Sequence, residues 1–262
     1  MEHLRIIKIG GNVIDHPELL DKFLKDFSKL KGAKILVHGG GKLANKLAAD
    51  LGYEAKLVDG RRITDEKTLD IVTMVYAGLV NKKIVAKLQT QNCNALGLSG
   101  ADGNAIKAVK RPVKEIDYGF VGDIPEDAVN VNLLSKLLSE GFIPVFSAIT
   151  HDGAGQLLNT NADTIASVLA VSLSKQYRCS LIYCFEKKGV LENVEDENSV
   201  IKEIKSTSFI PLQQQGIISD GMIPKIHNSF EAINKGVEEV LIGSSHDLAL
   251  LENDTFGTRL LK

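Results

Sequence analysis

The chain has 262 residues, 44% of them hydrophobic and 24% charged, with a formal net charge of −2. That balance suits a globular protein with a sizeable core, built as one large domain or two small lobes, and so small a charge offers no general attraction to nucleic acid or an anionic membrane. The three cysteines, Cys93, Cys179 and Cys184, form no CxxC pair and suggest neither a disulfide framework nor a zinc site.

No run approaches the ~18 apolar residues of a membrane span. The first strand begins within a few residues of Met1, which leaves no room for a signal peptide and predicts a cytoplasmic protein. That strand, Arg5 to Ile9, carries Lys8 and runs into Gly10-Gly11. A lysine there is either a solubilising charge on an edge strand or a cation held beside a glycine turn for a phosphate, and the two glycines favour the second reading. Pro17 to Leu30 is an amphipathic helix with Leu20, Phe23, Leu24, Phe27 and Leu30 on one face. A buried strand, Ile35 to Val37, then enters Gly39-Gly40-Gly41, followed by a helical pattern of Leu43, Leu47, Ala48 and Leu51. Three glycines between strand and helix let backbone amides approach an anion, carboxylate or phosphate.

Glu66 to Leu88 reads as one long helix with apolar residues over far more than one stripe, so that it buries two faces, one of them against a second subunit or inside the core. Ala95 to Gly103 is a strand entering another glycine turn, and Lys107 to Lys114 reads as a solvated basic surface. Phe142 to Ala148 is a further buried strand; Asn159, Asn161 and Asp163 follow, with Asn161 placed to cap a helix from Ala162 to Leu173. The pattern restarts with a strand Ser180 to Phe185, a loop through Lys187-Lys188-Gly189, the segment Asp220 to Lys225, a helix Ile226 to Gly236 and a strand Val240 to Ile242. Strands alternating with helices predict parallel βαβ units with helices on both faces.

Several chemistries are excluded. There is no GxxxxGK[ST] loop, no GxGxxG opening either early helix, no GxSxG elbow and no HExxH. His38, at the mouth of the glycine turn, reads as a packed, hydrogen-bonded residue rather than a base. What remains is a set of glycine turns at strand ends with isolated cations, including Arg62 in Gly60-Arg-Arg-Ile-Thr64. Glycine amides and fixed cations where strand ends converge can neutralise a transferring phosphoryl group. No general base stands out, which fits an acceptor already ionised at neutral pH, such as a carboxylate of pKa ~4.

Lys8-Ile-Gly-Gly11, Val37-His-Gly-Gly-Gly41, Gly60-Arg-Arg-Ile-Thr64, Gly97-Leu-Ser-Gly-Ala-Asp-Gly103, Asn159-Thr-Asn-Ala-Asp163 and Asp220-Gly-Met-Ile-Pro-Lys225 together resemble the amino-acid kinase superfamily, and most of all its N-acetylglutamate kinase branch. The resemblance spans essentially the whole chain. It implies a three-layer αβα sandwich with a mostly parallel open sheet: one domain over residues 1–262, with an acylglutamate-binding and dimerisation lobe over 1–175 and an ATP-binding lobe over 176–262. It implies ATP-dependent phosphorylation of the γ-carboxylate of an N-acylglutamate, acetyl or succinyl, in arginine biosynthesis. A non-catalytic sensor keeping the fold, or another member such as glutamate 5-kinase, is the alternative.

Under the same resemblance Lys8 and Lys225 stabilise the phosphoryl group, Asp163 holds those lysines and Gly11 donates its amide. Gly40, Gly41, Arg62 and Asn159 bind the acylglutamate. Gly10, Glu186, Lys188, Gly189, Leu191, Ile217, Ile218 and Ser219 serve the nucleotide, and Mg²⁺ rides on ATP without a protein metal site. The family reads Asp-Val-x-Gly where this chain has Glu186-Lys-Lys-Gly189. Its arginine-inhibited hexamers carry a helix before the first strand, where only Met1-Glu-His stands here. The expectation is therefore a homodimer insensitive to arginine, joined through the Glu66–Leu88 helix, with no nucleic-acid or membrane partner.

Overall fold

A computed structural model describes residues 1–58, 60–218 and 222–262. The fold is α/β with mostly parallel strands, as expected. It divides into two compact units, one made of residues 1–35 and 166–262 and the other of residues 36–165. The first strand and helix thus group with the C-terminal part of the chain, because His3–Ile9 pairs along its whole length with Arg178–Phe185.

In the discontinuous unit five strands lie in the order Glu203–Lys205, Thr258–Leu261, Glu239–Ser244, Arg178–Phe185, His3–Ile9. Neighbours run parallel except Glu239–Ser244 against Thr258–Leu261, which are antiparallel. Leu4, Ile6, Ile7, Ile9, Leu181, Ile182 and Val240 are fully buried, the near-continuous apolar runs expected of strands covered on both faces. The amphipathic helix runs Pro17–Lys29 and buries Leu20, Phe23, Leu24 and Phe27. Its C-terminal end is closed by the buried Lys34, whose ammonium donates to the carbonyls of Phe27 (2.9 Å), Ser28 (3.2 Å) and Leu30 (2.5 Å). A cation at that end meets both the orphan carbonyls and the negative pole of the helix.

Two elements of this unit differ from expectation. Ser206–Gln214 is a helix, hidden in the sequence because Pro211, Gln213 and Gln214 blur its apolar periodicity. The next helix begins at Ile223, not Ile226, with Pro224 in its first turn. Lys225 therefore stands on a helix rather than in the loop before it. Asp220 and Gly221, the start of that motif, lie outside the described residues.

The continuous unit holds parallel pairings of Leu36–His38, the end of the strand Ala33–His38, with Val145–Ser147 and of Ile143–Ser147 with Ala95–Leu98. Short antiparallel ribbons join Leu57–Val58 to Arg61–Arg62 and Ile149–His151 to Leu157–Asn159. The helix after the glycine turn, Gly41–Asp50, buries Ala44 and Ala48 rather than its leucines, and Leu51 is its exposed C-cap. The small side chains suit close packing against the helix beginning at Glu66, which this element contacts.

The long helix spans Glu66 to Gln89, with a π-helical stretch Met74–Val80 between two α-helical parts. Asp65 caps it by accepting from the Thr68 amide at 2.9 Å. Leu69, Ile71, Val72, Val75, Tyr76, Val80 and Ile84 are buried, whereas Met74 and Leu79 are 52% and 46% exposed.

Candidate functional site

The residues singled out from sequence fall into two clusters, one in each unit. In the discontinuous unit Lys8 lies opposite Tyr183 in the parallel pairing of His3–Ile9 with Arg178–Phe185. Tyr183 and Phe185, two apart on one strand, share a face, and their rings stack at 6.1 Å with an interplanar angle of 23°. Lys225 Nζ lies over the Phe185 ring, 3.8 Å from its centre, and Lys8 Nζ lies 5.8 Å from the same centre. Two lysines distant in sequence are thus aimed at one place by a strand, a helix and an aromatic ring.

Beside them the chain leaves the first strand through Gly10, which precedes the short helix Gly11–Asp15. A cavity of about 420 Å³ opens here, lined by Lys8, Gly10, Gly11, Asn12, Phe185, Glu186, Lys187, Gly189, Leu191, Val194, Ile217, Met222 and Lys225 among others. Its size and mixed lining are those of a small-molecule site. Eight residues expected at the phosphoryl and nucleotide positions share it: Lys8, Gly10, Gly11, Glu186, Gly189, Leu191, Ile217 and Lys225. Lys188 is turned to the Asn198 side-chain oxygen at 3.5 Å in an exposed loop, and Ile218 is buried. Ser219 lies outside the described residues. Cys184 lines the cavity, but burial pushes its thiol well above the ordinary range, which makes it a poor nucleophile.

The loop Glu186-Lys-Lys-Gly189 is held from two sides. Lys187 pairs with Glu197 at 3.7 Å. A Cβ on Gly189 would stand 2.7 Å from Thr258 Oγ1 and 2.8 Å from Val200 Cγ1, and Thr258 Oγ1 accepts from the Val190 amide at 2.8 Å. Glycine at 189 is therefore a packing requirement of the loop.

In the continuous unit the glycine turn meets Arg62 and Tyr76. Gly40 has φ +154°, and a Cβ there would sit 3.0 Å from Tyr76 Cδ1. Arg62 Nη2 donates to the Gly41 carbonyl at 3.2 Å, and the Tyr76 hydroxyl lies beside the same glycine, where it feels the guanidinium charge. Burial pushes the Tyr76 phenol up, against the pull of Arg62. Asn159 Nδ2 donates to Thr64 Oγ1 at 3.0 Å, and that hydroxyl donates to the Arg62 carbonyl at 3.4 Å. Gly40, Gly41, Arg62 and Asn159 are in this way linked through Tyr76 and Thr64. Asp163 lies in the first turn of the helix Ala162–Leu173, capped by Asn161 Oδ1, which accepts from the amides of Asp163 (2.8 Å) and Thr164 (3.1 Å).

His38 is structural, as read from sequence. It is fully buried, Nδ1 bonds to the Gly39 carbonyl at 2.9 Å and Nε2 pairs with the Asn81 side-chain nitrogen at 3.0 Å. Donation from Nδ1–H leaves Nε2 as the acceptor, so the ring is neutral, and burial lowers its pKa to about 4.

Phe185 and Tyr76 escaped the sequence reading. Both looked like ordinary apolar positions, one in a buried strand and one on a helix. The π-helical turn around Tyr76 is a feature frequent at functional sites, but nothing in the residue types announces it.

Among the described residues no helix is long and apolar enough to cross a membrane. The family model described as the amino acid kinase family matches residues 3–244. The chain is 56% identical to an acetylglutamate kinase of Cytophaga hutchinsonii over all of this chain and 99% of that one. It is 54% identical to an acetylglutamate kinase of Bacteroides thetaiotaomicron, again over 100% and 99% of the two chains. The crystal structure of smu.665 from Streptococcus mutans UA159 superposes with a TM-score of 0.75 at 28% identity, covering 98% of each chain. With the whole chain aligned at such identity, and the glycine turns and lysines in place, this chain belongs to the amino acid kinase family, in its acetylglutamate kinase branch.

Proposed function

We propose that this chain transfers the γ-phosphoryl group of ATP to the γ-carboxylate of N-acetylglutamate, forming an acyl phosphate and ADP. The observation that carries the reading is the convergence of Lys8 and Lys225 with Gly10 and Gly11 on one cavity. The discontinuous unit binds the nucleotide there, with Glu186, Gly189, Leu191 and Ile217 along its walls. The continuous unit binds the acceptor, whose α-carboxylate Arg62 grips with two parallel N–H donors, beside the Gly40-Gly41 turn and Asn159. Asp163 supplies a carboxylate at the start of the helix Ala162–Leu173.

The carboxylate oxygen attacks the γ-phosphorus as the bond from that phosphorus to the β–γ bridging oxygen breaks. No proton need be removed, because an acceptor of pKa ~4 is already ionised at neutral pH. The ammonium groups of Lys8 and Lys225 and the Gly11 amide offset the charge on the transferring group. Mg²⁺ carried on the nucleotide would screen the phosphate charge, leaving the lysines and the Gly11 amide to meet the transferring group.

ADP release measured with N-acetylglutamate, N-succinylglutamate and free glutamate tests the reading. Turnover with the N-acetyl substrate is expected, and turnover with free glutamate alone would reject it. Lys8→Ala and Lys225→Ala should each lower kcat on the order of 10²-fold or more while ATP still binds. Unchanged turnover in both would remove the proposed mechanism.

The reading extends to a homodimer through the helix Glu66 to Gln89, supported by the exposed Met74 and Leu79 about one π-turn apart. Sedimentation should give twice the chain mass, and Leu79→Lys should return the monomer.

A further inference from the structure

We propose that Phe185 is a positioning residue, its ring serving as the common seat that keeps the Lys8 and Lys225 ammonium groups aimed at one point. The inference rests on the phosphoryl-transfer reading of this cavity for its catalytic consequence, and on geometry alone for the seat itself. Two ammonium groups brought together in one cavity repel, and long lysine stems have many rotamers in which to separate. An aromatic face opposes both tendencies, because its quadrupole attracts a cation held within about 6 Å of the centre. Lys225 at 3.8 Å and Lys8 at 5.8 Å both meet that criterion on the same ring.

The seat is itself held in place. Phe185 ends the strand Arg178–Phe185, in parallel register with Ser244 of the neighbouring strand. Its ring stacks on that of Tyr183, which is buried and pairs in register with Lys8. Lys8, Tyr183 and Phe185 are therefore fixed to one another by strand pairing and ring stacking, and the helix Ile223–Asn234 brings Lys225 to the same ring from its first turn. Phe185 also lines the cavity, so the ring presents the two cations to whatever anion enters. A leucine of similar bulk would fill the space but offer no quadrupole; tyrosine would restore it.

The test has a structural arm and a kinetic arm. With lysine Cε selectively labelled in the full chain, and Lys8→Ala and Lys225→Ala used to assign signals, the Lys225 methylene protons should show an upfield ring-current shift that vanishes in Phe185→Leu and persists in Phe185→Tyr. No such shift in the unsubstituted protein would overturn the seat whatever the reaction turns out to be. In the kinetic arm, Phe185→Leu should lower kcat about tenfold, leave the KM for the acylglutamate unchanged, and be rescued by Phe185→Tyr. A rise in the KM for ATP with kcat intact would make the ring a nucleotide wall only and overturn the positioning role, as would failure of tyrosine to rescue. If the chain shows no acylglutamate kinase activity while the ring-current shift is present, it is the functional reading that has failed, and the seat stands.

Discussion

The guanidinium of Arg62 donates to the carbonyl of Gly41 at 3.2 Å, which ties the one arginine of the acceptor cluster to the backbone of the glycine turn. A planar fork fixed in this way is ready to meet a carboxylate with two parallel N–H groups. Arg62→Lys keeps the charge and loses the fork. The KM for acylglutamate should rise by one to two orders of magnitude, about 1.5–3 kcal/mol of binding, with kcat reduced much less. Steady-state kinetics at saturating ATP check this, and an unchanged KM would place the substrate carboxylate elsewhere.

Tyr76 sets its hydroxyl within the field of the same guanidinium. Tyr76→Phe keeps the ring that packs against Gly40 and removes only the hydroxyl dipole near Arg62. Losing a polar group beside the guanidinium should cost about 1 kcal/mol in acylglutamate binding, several-fold in KM. The melting temperature and the KM for ATP should stay where they are. A variant that melts early with normal KM would show the hydroxyl to be serving the fold instead.

How far the site could be read beforehand follows from how each residue announces itself. Lys8 and Gly10-Gly11 stood out because a lysine inside an apolar strand next to two glycines breaks the local pattern. Ala44 did not, because the larger leucines beside it claimed the apolar face, and the preference for alanine depends on a neighbouring helix distant in sequence. Phe185 and Tyr76 obeyed their local patterns fully, and what distinguishes them is a long-range contact to a lysine or an arginine. Lys34 was passed over for a different reason: its partners are near in sequence, the carbonyls at the end of the preceding helix, but a lysine after a helix looks like an ordinary surface charge until the fold buries it.

Gly189 offers a test of the loop that departs from the family's usual wording. A methyl group there would press on Thr258 Oγ1 and Val200 Cγ1, and Thr258 also holds the Val190 amide. None of these neighbours is the free end of a flexible chain. Gly189→Ala should destabilise the protein by about 1–3 kcal/mol and, by shifting the cavity wall, raise the KM for ATP. Denaturant unfolding monitored with and without ATP separates the two effects. A variant as stable as the parent would mean that the loop is free to yield, and the packing argument would fall.

His38 gives the fold a dependence on pH that can be signed in advance. Its folded pKa is about 4, depressed by burial from the ordinary 6.5. Above pH 6.5 the ring is neutral in both the folded and the unfolded chain and the contribution is fully present. As pH falls through 6.5 the unfolded chain takes up a proton that the folded chain refuses, so stability declines progressively until pH reaches about 4. The whole window is worth on the order of 3 kcal/mol. Replacing the ring by an uncharged amide, His38→Gln, should lower stability at pH 7.5, where the bonds to Gly39 and Asn81 are lost, yet flatten the slope between pH 6.5 and 4.5. The comparison is therefore of slopes, from denaturant unfolding of parent and variant at several pH values. Parallel curves across that window would show that His38 accepts its proton as readily in the fold as in water, and that its burial beneath the glycine turn costs nothing on acidification.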